Sequence, residues 1–266
     1  MNIVQPSYEI LGIFPGEEDC LQWLERIGRT CYKSEDKITA ESAPKFVRSI
    51  LKLDRMFNLH KKLCQLFDDC ASETLAHERM DPSFIIHMAG KAGQAVQEML
   101  NDPPHESVIE HSMMTVRFIF DRGISHEMVR HRLCAFSQES TRYCNYNKGG
   151  QGINVIDPGA TLFQGDSVYH QARLVDWEQA MRYAEMGYQE LIDGGAKPQE
   201  ARSVLPNSLK TEIVVTANFR EWRHIFRLRT SKKAHPQIRE VMVPLLKELK
   251  AKPNLGLLFE DIEVQE

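Results

Sequence analysis

Bulk positive charge is the first thing this 266-residue chain lacks: 33 Lys and Arg stand against 37 Asp and Glu, a formal net charge of -4. A chain so balanced does not hold polyanions by its overall field. Long apolar runs are missing as well, so no stretch is read as spanning a bilayer. The opening MNIVQPSYEI has no basic segment followed by an apolar one, so no secretory signal is read. The six cysteines, Cys20, Cys31, Cys64, Cys70, Cys134 and Cys144, form no Cys-x-x-Cys pair and no Cys/His set of zinc-finger spacing. Reduced thiols in a cytoplasmic protein fit that usage best. Also absent are Gly-x-Gly-x-x-Gly after a strand, the phosphate-loop Gly-x-x-x-x-Gly-Lys-[Ser/Thr], His-Glu-x-x-His and Gly-x-Ser-x-Gly. Their absence leaves the commonest nucleotide, zinc-protease and serine-hydrolase signatures without support. No internal repeat or low-complexity stretch occurs, and no metal, nucleic acid or membrane partner is expected.

What is there is local. Arg130-His131-Arg132 lies beside Met128, Val129, Leu133 and Phe136, and a polar loop from Ser137 to Asn147 follows with Arg142 inside it. Arg is always charged and presents a planar fork of donors. Such forks bind phosphate or carboxylate bidentately. The simplest reading is a site for a small anionic ligand; the plain alternative is the basic face of an amphipathic helix. Arg220, Arg223, Arg227 and Arg229 make a second Arg-rich element. The two could converge on one large anionic ligand or on two.

The pattern around these segments predicts a mixed fold. Residues 1–16 read as extended and end at Pro15-Gly16. Leu21, Leu24, Ile27 and Cys31 recur at helical spacing over 18–31, behind the acidic Glu17, Glu18 and Asp19. Residues 43–102 read as mostly helical, with 43–100 a helical elaboration at the periphery, and the His60, His77 and His87 found here are too scattered for a metal site. Ser107 and Glu110 have the spacing of a capping box. Met114, Val116, Phe118 and Phe120 alternate with Met113, Thr115, Arg117 and Ile119 as in a half-buried strand. Ser125 is placed to cap a short helix to about Arg132. A short strand over 153–156 precedes a long helix over 168–192. Its stripe of Leu174, Trp177, Met181, Ala184, Tyr188 and Leu191 suits a core or an oligomer seam. Pro198 opens a short helix to Arg202, a strand covers 209–219, and helices cover 220–229 and 236–249. The sum is one α+β domain over 1–266, with long helices packed on a small, mostly antiparallel sheet.

Arg130-His131-Arg132, followed at the expected gap by Ser140 and Arg142-Tyr143, closely resembles the signature of the flavin-dependent thymidylate synthases. His105-x-Ser107-x-x-Glu110-His111 resembles that family's His/Ser(Thr)/Glu element. Ala201-Arg202-x-Val204-Leu205-Pro206 resembles its Ala-Arg-x-x-Leu-Pro segment, and Asn218, Arg220, His224 and Arg229 fall at matching positions. The likeness covers roughly residues 100–245, with a weaker match at Gly28 to Tyr32.

The resemblance implies conversion of dUMP to dTMP. Methylenetetrahydrofolate gives the carbon, and FAD reduced by NADPH gives the hydride. It implies a mixed α/β subunit active as a homotetramer. By position it implies that Ser107, Glu110, Arg130, His131, Arg132, Asn218, Arg220 and His224 line the flavin. Glu127, Gln138, Glu139, Ser140, Thr141, Arg142, Arg202 and Arg229 are implied to surround dUMP. Backbone N–H groups of 138–142, with Arg142, suit its phosphate. Arg229 is implied to sit by the uracil ring as the catalytic residue, favouring ionisation at N3 and electron density at C5. No cysteine nucleophile is then needed; Cys134 and Cys144 read as packing residues, and Ser140 as a ligand contact. The sequence also departs from the family pattern. Gln138 stands where many members have Glu, Glu127 where some have Gln, and His224 where some have Asn. Lys232 and Lys233 stand where some have a flavin-contacting His, with His235 two residues on. A nucleic-acid module built on the two Arg elements is disfavoured by the net acidity and by the lack of interleaved aromatics.

Overall fold

The alternating segments become strands because their apolar residues point to one face, where helices cover them. The structure is a computed structural model that describes residues 1–54, 58–59, 61–66, 68, 87–94, 104–150, 152–158, 161–163 and 168–265. In chain order its first elements are β1 (Asn2–Val4), β2 (Ser7–Phe14), α1 (Cys20–Tyr32) and α2 (Ser42–Ile50). Then come β3 (Met113–Asp121), α3 (Arg122–Met128), β4 (Ala135–Gln138) and β5 (Asn154–Ile156). The last are α4 (Val168–Asp193), α5 (Pro198–Ala201), β6 (Lys210–Asn218), α6 (Phe219–Arg229) and α7 (Pro236–Ala251). The main sheet runs β2-β3-β6-β4 and is antiparallel throughout, while β1 and β5 form a separate parallel pair. The expected architecture, helices on a small antiparallel sheet, is the one observed.

Met114, Val116, Phe118 and Phe120 of β3 and Ile213, Val215 and Ala217 of β6 are buried side by side. Trp222, Ile225 and Phe226 of α6 and Ile238, Val241, Met242, Leu245 and Leu246 of α7 join the same core. A fully buried side chain of this size contributes roughly 1.5–3 kcal/mol. A one-residue slip of β3 would expose four such side chains and turn Arg117 inward, so the register is fixed. The Trp222 indole N–H donates to the carbonyl of Met114 at 2.9 Å, anchoring α6 on β3.

Four expectations are corrected. The helix expected from Ser125 instead spans Arg122–Met128, because Asp121 at the end of β3 is the cap: its Oδ1 accepts from the Ile124 N–H at 2.7 Å. Arg130-His131-Arg132 therefore lies beyond the helix, between α3 and β4, and is not a basic helical face. Ser107 caps nothing, for Glu106–His111 is a 3-10 turn without a side-chain cap, and Glu110 turns to Arg220. The polar loop begins later than expected, since Ser137 and Gln138 pair with β6. Arg223 and Arg227 are not free to meet a ligand. Arg223 is fully buried, with two bonds of 2.7 Å to Asp261, one of 3.1 Å to Glu106 and another to the Leu258 carbonyl. Arg227 joins Asp261 at 3.0 Å. Of the helical stretch expected to 102, α2, residues 61–66 and residues 87–94 are helical; His60 and His77 lie outside the described residues.

Because α3 leads directly into the Arg-His-Arg segment, its cap holds more than one helix. Asp121→Ala is expected to lower stability by about 1–2 kcal/mol in urea unfolding, the usual cost of an N-cap.

Candidate functional site

Arg229, at the end of α6, is the centre of the site. Its Nη1 donates to Glu127 Oε2 at 2.6 Å, its Nη2 to the Glu127 carbonyl at 2.8 Å, and its Nε to His131 Nε2 at 3.0 Å. A guanidinium has five donors and no lone pair to offer. His131 Nε2 is therefore the acceptor, the ring is neutral, and its proton sits on Nδ1. That nitrogen faces Glu221 Oε1 at 3.5 Å. His131 is buried, and burial first, then the charges of Arg229 and His224, hold its pKa down at about 4. Burial raises the pKa of Glu221, against the opposing pull of His224. The His224 ring meets that of His131 edge-on, centroids 5.8 Å apart. His131, Glu221 and His224 offer ligand atoms within 4.8 Å of one another, close enough for a metal. The Arg229 bond and the Nδ1 proton already occupy both His131 nitrogens, so a metal there would have to displace one of them.

The loop after β4 is joined to this centre through the protein. Gln138 Nε2 donates to Ser125 Oγ at 2.9 Å and to Thr211 Oγ1 at 3.2 Å, which ties β4 to α3 two residues before Glu127. Arg202 Nη1 reaches Thr141 Oγ1 at 3.5 Å and brings the end of α5 to the loop. Thr141 is buried, and Ser140 Oγ accepts from the Arg142 N–H at 3.3 Å. Among the described residues, the N–H groups of Ser140 and Thr141 donate to no protein acceptor. Two adjacent unpaired amides beside exposed Arg142 leave donors that an anion could use. Arg142 lies over the ring of Tyr143, 5.5 Å from its centroid.

Glu139, expected among the residues around the ligand, has its carboxylate bonded within the protein. Its carboxylate accepts from Tyr146 Oη at 2.9 Å, Lys210 Nζ at 3.2 Å and the Glu212 N–H at 3.3 Å. It anchors the loop instead. Gln138 likewise gives its amide donors to the protein and has only its carbonyl oxygen to offer.

The remaining residues divide. Arg130 and Arg132 are exposed, and among the described residues their guanidinium groups have no partner. Arg220 and His224 are four apart on the exposed face of α6, and Arg220 pairs with Glu110. Asn218 caps α6, its Oδ1 accepting from the Glu221 N–H at 2.9 Å, so its side chain has a structural task. Ser107 is exposed in the adjoining 3-10 turn. Glu221, Ser125, Tyr146 and Lys210 were missed in the sequence. Only Glu221 carried a signal, lying three residues before His224 on a predicted helix.

The sign of the His131 effect is definite. Its folded pKa lies below the ordinary 6.5, so the unfolded chain binds a proton that the folded one refuses as pH falls from about 6.5 to 4. Stability should fall over that window with a slope of up to about 1.4 kcal/mol per pH unit from this group. Urea unfolding of His131→Gln across the same pH range should lack that share of the slope.

A sequence model of the family described as thymidylate synthase complementing protein matches residues 18–253. The chain is 37% identical over 147 residues to the flavin-dependent thymidylate synthase of Geobacter sulfurreducens, covering 55% of this chain and 60% of that protein. It is 34% identical over 158 residues to the enzyme of the same name from Pyrococcus horikoshii, covering 59% and 62%. The chain thus spans about three fifths of the length of these curated relatives. In fold it is similar to the UMP/dUMP methylase PolB from Streptomyces cacaoi, solved with 5-Br dUMP. The TM-score is 0.64 at 20% identity, over 98% of this chain and 96% of that one. With the family match running through both Arg elements and the loop between them, the chain belongs to the thymidylate synthase complementing protein family.

Proposed function

We propose that this protein is a flavin-dependent thymidylate synthase, methylating dUMP to dTMP with methylenetetrahydrofolate as carbon donor. The observation that carries the reading is one connected set of contacts. It leads from Arg202 through Thr141 to the open amides, and from Gln138 through α3 to Arg229. An anionic nucleotide with its phosphate on the Ser140 and Thr141 amides and Arg142 would have Arg202 beside that loop, and the family pattern assigns Arg229 to its uracil ring. Glu127 and His131 hold Arg229 on two sides, so its charge does not have to be reorganised during the reaction. Beside a uracil ring, that fixed charge stabilises negative charge at N3 and raises electron density at C5, the carbon that attacks the one-carbon unit.

The residues also fit FAD. Its pyrophosphate needs several donors, and Arg130 and Arg132 are exposed cations without a partner among the described residues. Arg220, His224 and Ser107 extend the same exposed surface, Glu110 supports Arg220, and Asn218 and His131 lie behind it. When bound, the flavin, reduced by NADPH, supplies the hydride. The proposed reaction needs no enzyme cysteine, and Cys134, beside the Arg-His-Arg segment, is unsuited to the part: burial and Glu221 push its thiol up to about 12, away from a reactive thiolate. A homotetramer is supported by apolar side chains left open on α4, among them Val168, Tyr169 and Val175, and by Leu133 and Tyr143, exposed beside the candidate site.

The purified protein incubated with FAD is expected to show oxidised-flavin absorption bands that shift when dUMP is added. It should release tritium from C5-labelled dUMP in the presence of NADPH and methylenetetrahydrofolate. Arg229→Ala should keep the flavin bands and lose at least about 100-fold in turnover, as when a preorganised charge is removed. No flavin uptake by the native protein, or normal turnover in the variant, would overturn the assignment.

A further inference from the structure

We infer that Glu221 is a positioning residue for Arg229, acting through the tautomer of His131. The consequence for turnover rests on the thymidylate synthase reading; the geometry does not. Glu221 lies in the first turn of α6, where the helix N-terminus favours a negative charge. Its side chain is nonetheless only 8% exposed, and the His131 ring set against it, Nδ1 to Oε1 at 3.5 Å, is neutral. A buried carboxylate without a fixed cation is costly unless hydrogen-bonded. The groups facing it are the His131 ring, the His224 ring and the Cys134 thiol, whose own ionisation its charge disfavours.

The geometry admits one consistent assignment of protons. Arg229 only donates, so His131 Nε2 must accept. Nδ1 then carries the proton and lies 3.5 Å from Glu221 Oε1. At that separation a carboxylate attracts the proton electrostatically; an apolar side chain in its place could not. With the ring free to move its proton to Nε2, two donors would face each other across the 3.0 Å now closed by the Arg229 bond. Arg229 would then keep Glu127 as its only hold and would be free to tilt. The arrangement Glu221–His131–Arg229–Glu127 thus sets the direction of a guanidinium through one intervening ring, as an outer carboxylate does for a histidine on a metal.

The test reads the tautomer directly. In nitrogen correlation spectra of protein with isotope-labelled histidine, His131 (assigned with His131→Gln) is expected as the Nδ1–H form. Glu221→Leu should shift it toward Nε2–H. The same variant should lower kcat for dTMP formation by roughly 30–100-fold while changing KM for dUMP by about threefold or less. Glu221→Gln, whose amide oxygen can still accept from Nδ1, should keep both the tautomer and a rate within about fivefold of native. An Nε2–H tautomer in the native protein would overturn the inference. So would unchanged tautomer and rate in Glu221→Leu, or a folded Glu221→Gln that loses the rate with its tautomer intact. A stoichiometric transition metal bound by the native protein and lost in Glu221→Leu would overturn it as well, by making the three residues ligands. If Glu221→Leu does not fold, the native and Glu221→Gln measurements still decide. If the native protein forms no dTMP but the tautomer depends on residue 221, positioning stands and the activity reading alone fails.

Discussion

A guanidinium gives hydrogen bonds and accepts none, and that one-way chemistry orders the centre of this molecule. Arg229 occupies both the carboxylate and the carbonyl of Glu127 and takes the lone pair of His131. Everything nearby then follows in sequence: the imidazole is neutral, its proton is on the far nitrogen, and the buried Glu221 carboxylate lies 3.5 Å from that nitrogen. The three partners come from α3, from the segment after it and from α6. The interaction therefore also closes the angle between the two helices on which the candidate site is built.

The sheet makes that closure possible. β3 runs into α3 through the Asp121 cap, and β6 runs into α6 through the Asn218 cap, so two adjacent antiparallel strands each deliver a helix N-terminus. Because the register of β3 on β6 is fixed by apolar alternation, the two helices start from set positions. The distance from Glu127 to Arg229 is then a property of the core rather than of a loop. The Arg-rich helix is in turn divided by face. Arg223 and Arg227 bind it to Glu106 and Asp261, while Arg220 and His224 stay outward.

Much of this was legible in the sequence where the pattern was long and local. β3, β6, α6 and α7 each show an uninterrupted period of two or of three to four, and their observed bounds differ from the expected ones by one or two residues. Short or non-local features were not legible. β4 has only four residues, two of them at the start of the polar loop, and exists because β6 pairs with it. Asp121 outcompeted Ser125 as a cap because the strand ends on it, which no spacing reveals. Arg223 reads like Arg229 in the sequence, and only the fold, by bringing Asp261 to it, makes one a strut and leaves the other at the site. Nor do the partners that bind the Glu139 carboxylate, Tyr146 and Lys210, show in the sequence, being distant in the chain or ordinary in type.

The amides of Ser140 and Thr141 carry a consequence for how this surface can change. A donor that belongs to the main chain is present whatever side chain stands there, except proline. Anion recognition placed on those amides is buffered against mutational drift in a way that Arg142 and Arg202 are not. A small molecule anchored on the two amides would leave point substitution few routes to escape it, whereas one anchored on the arginines would leave many.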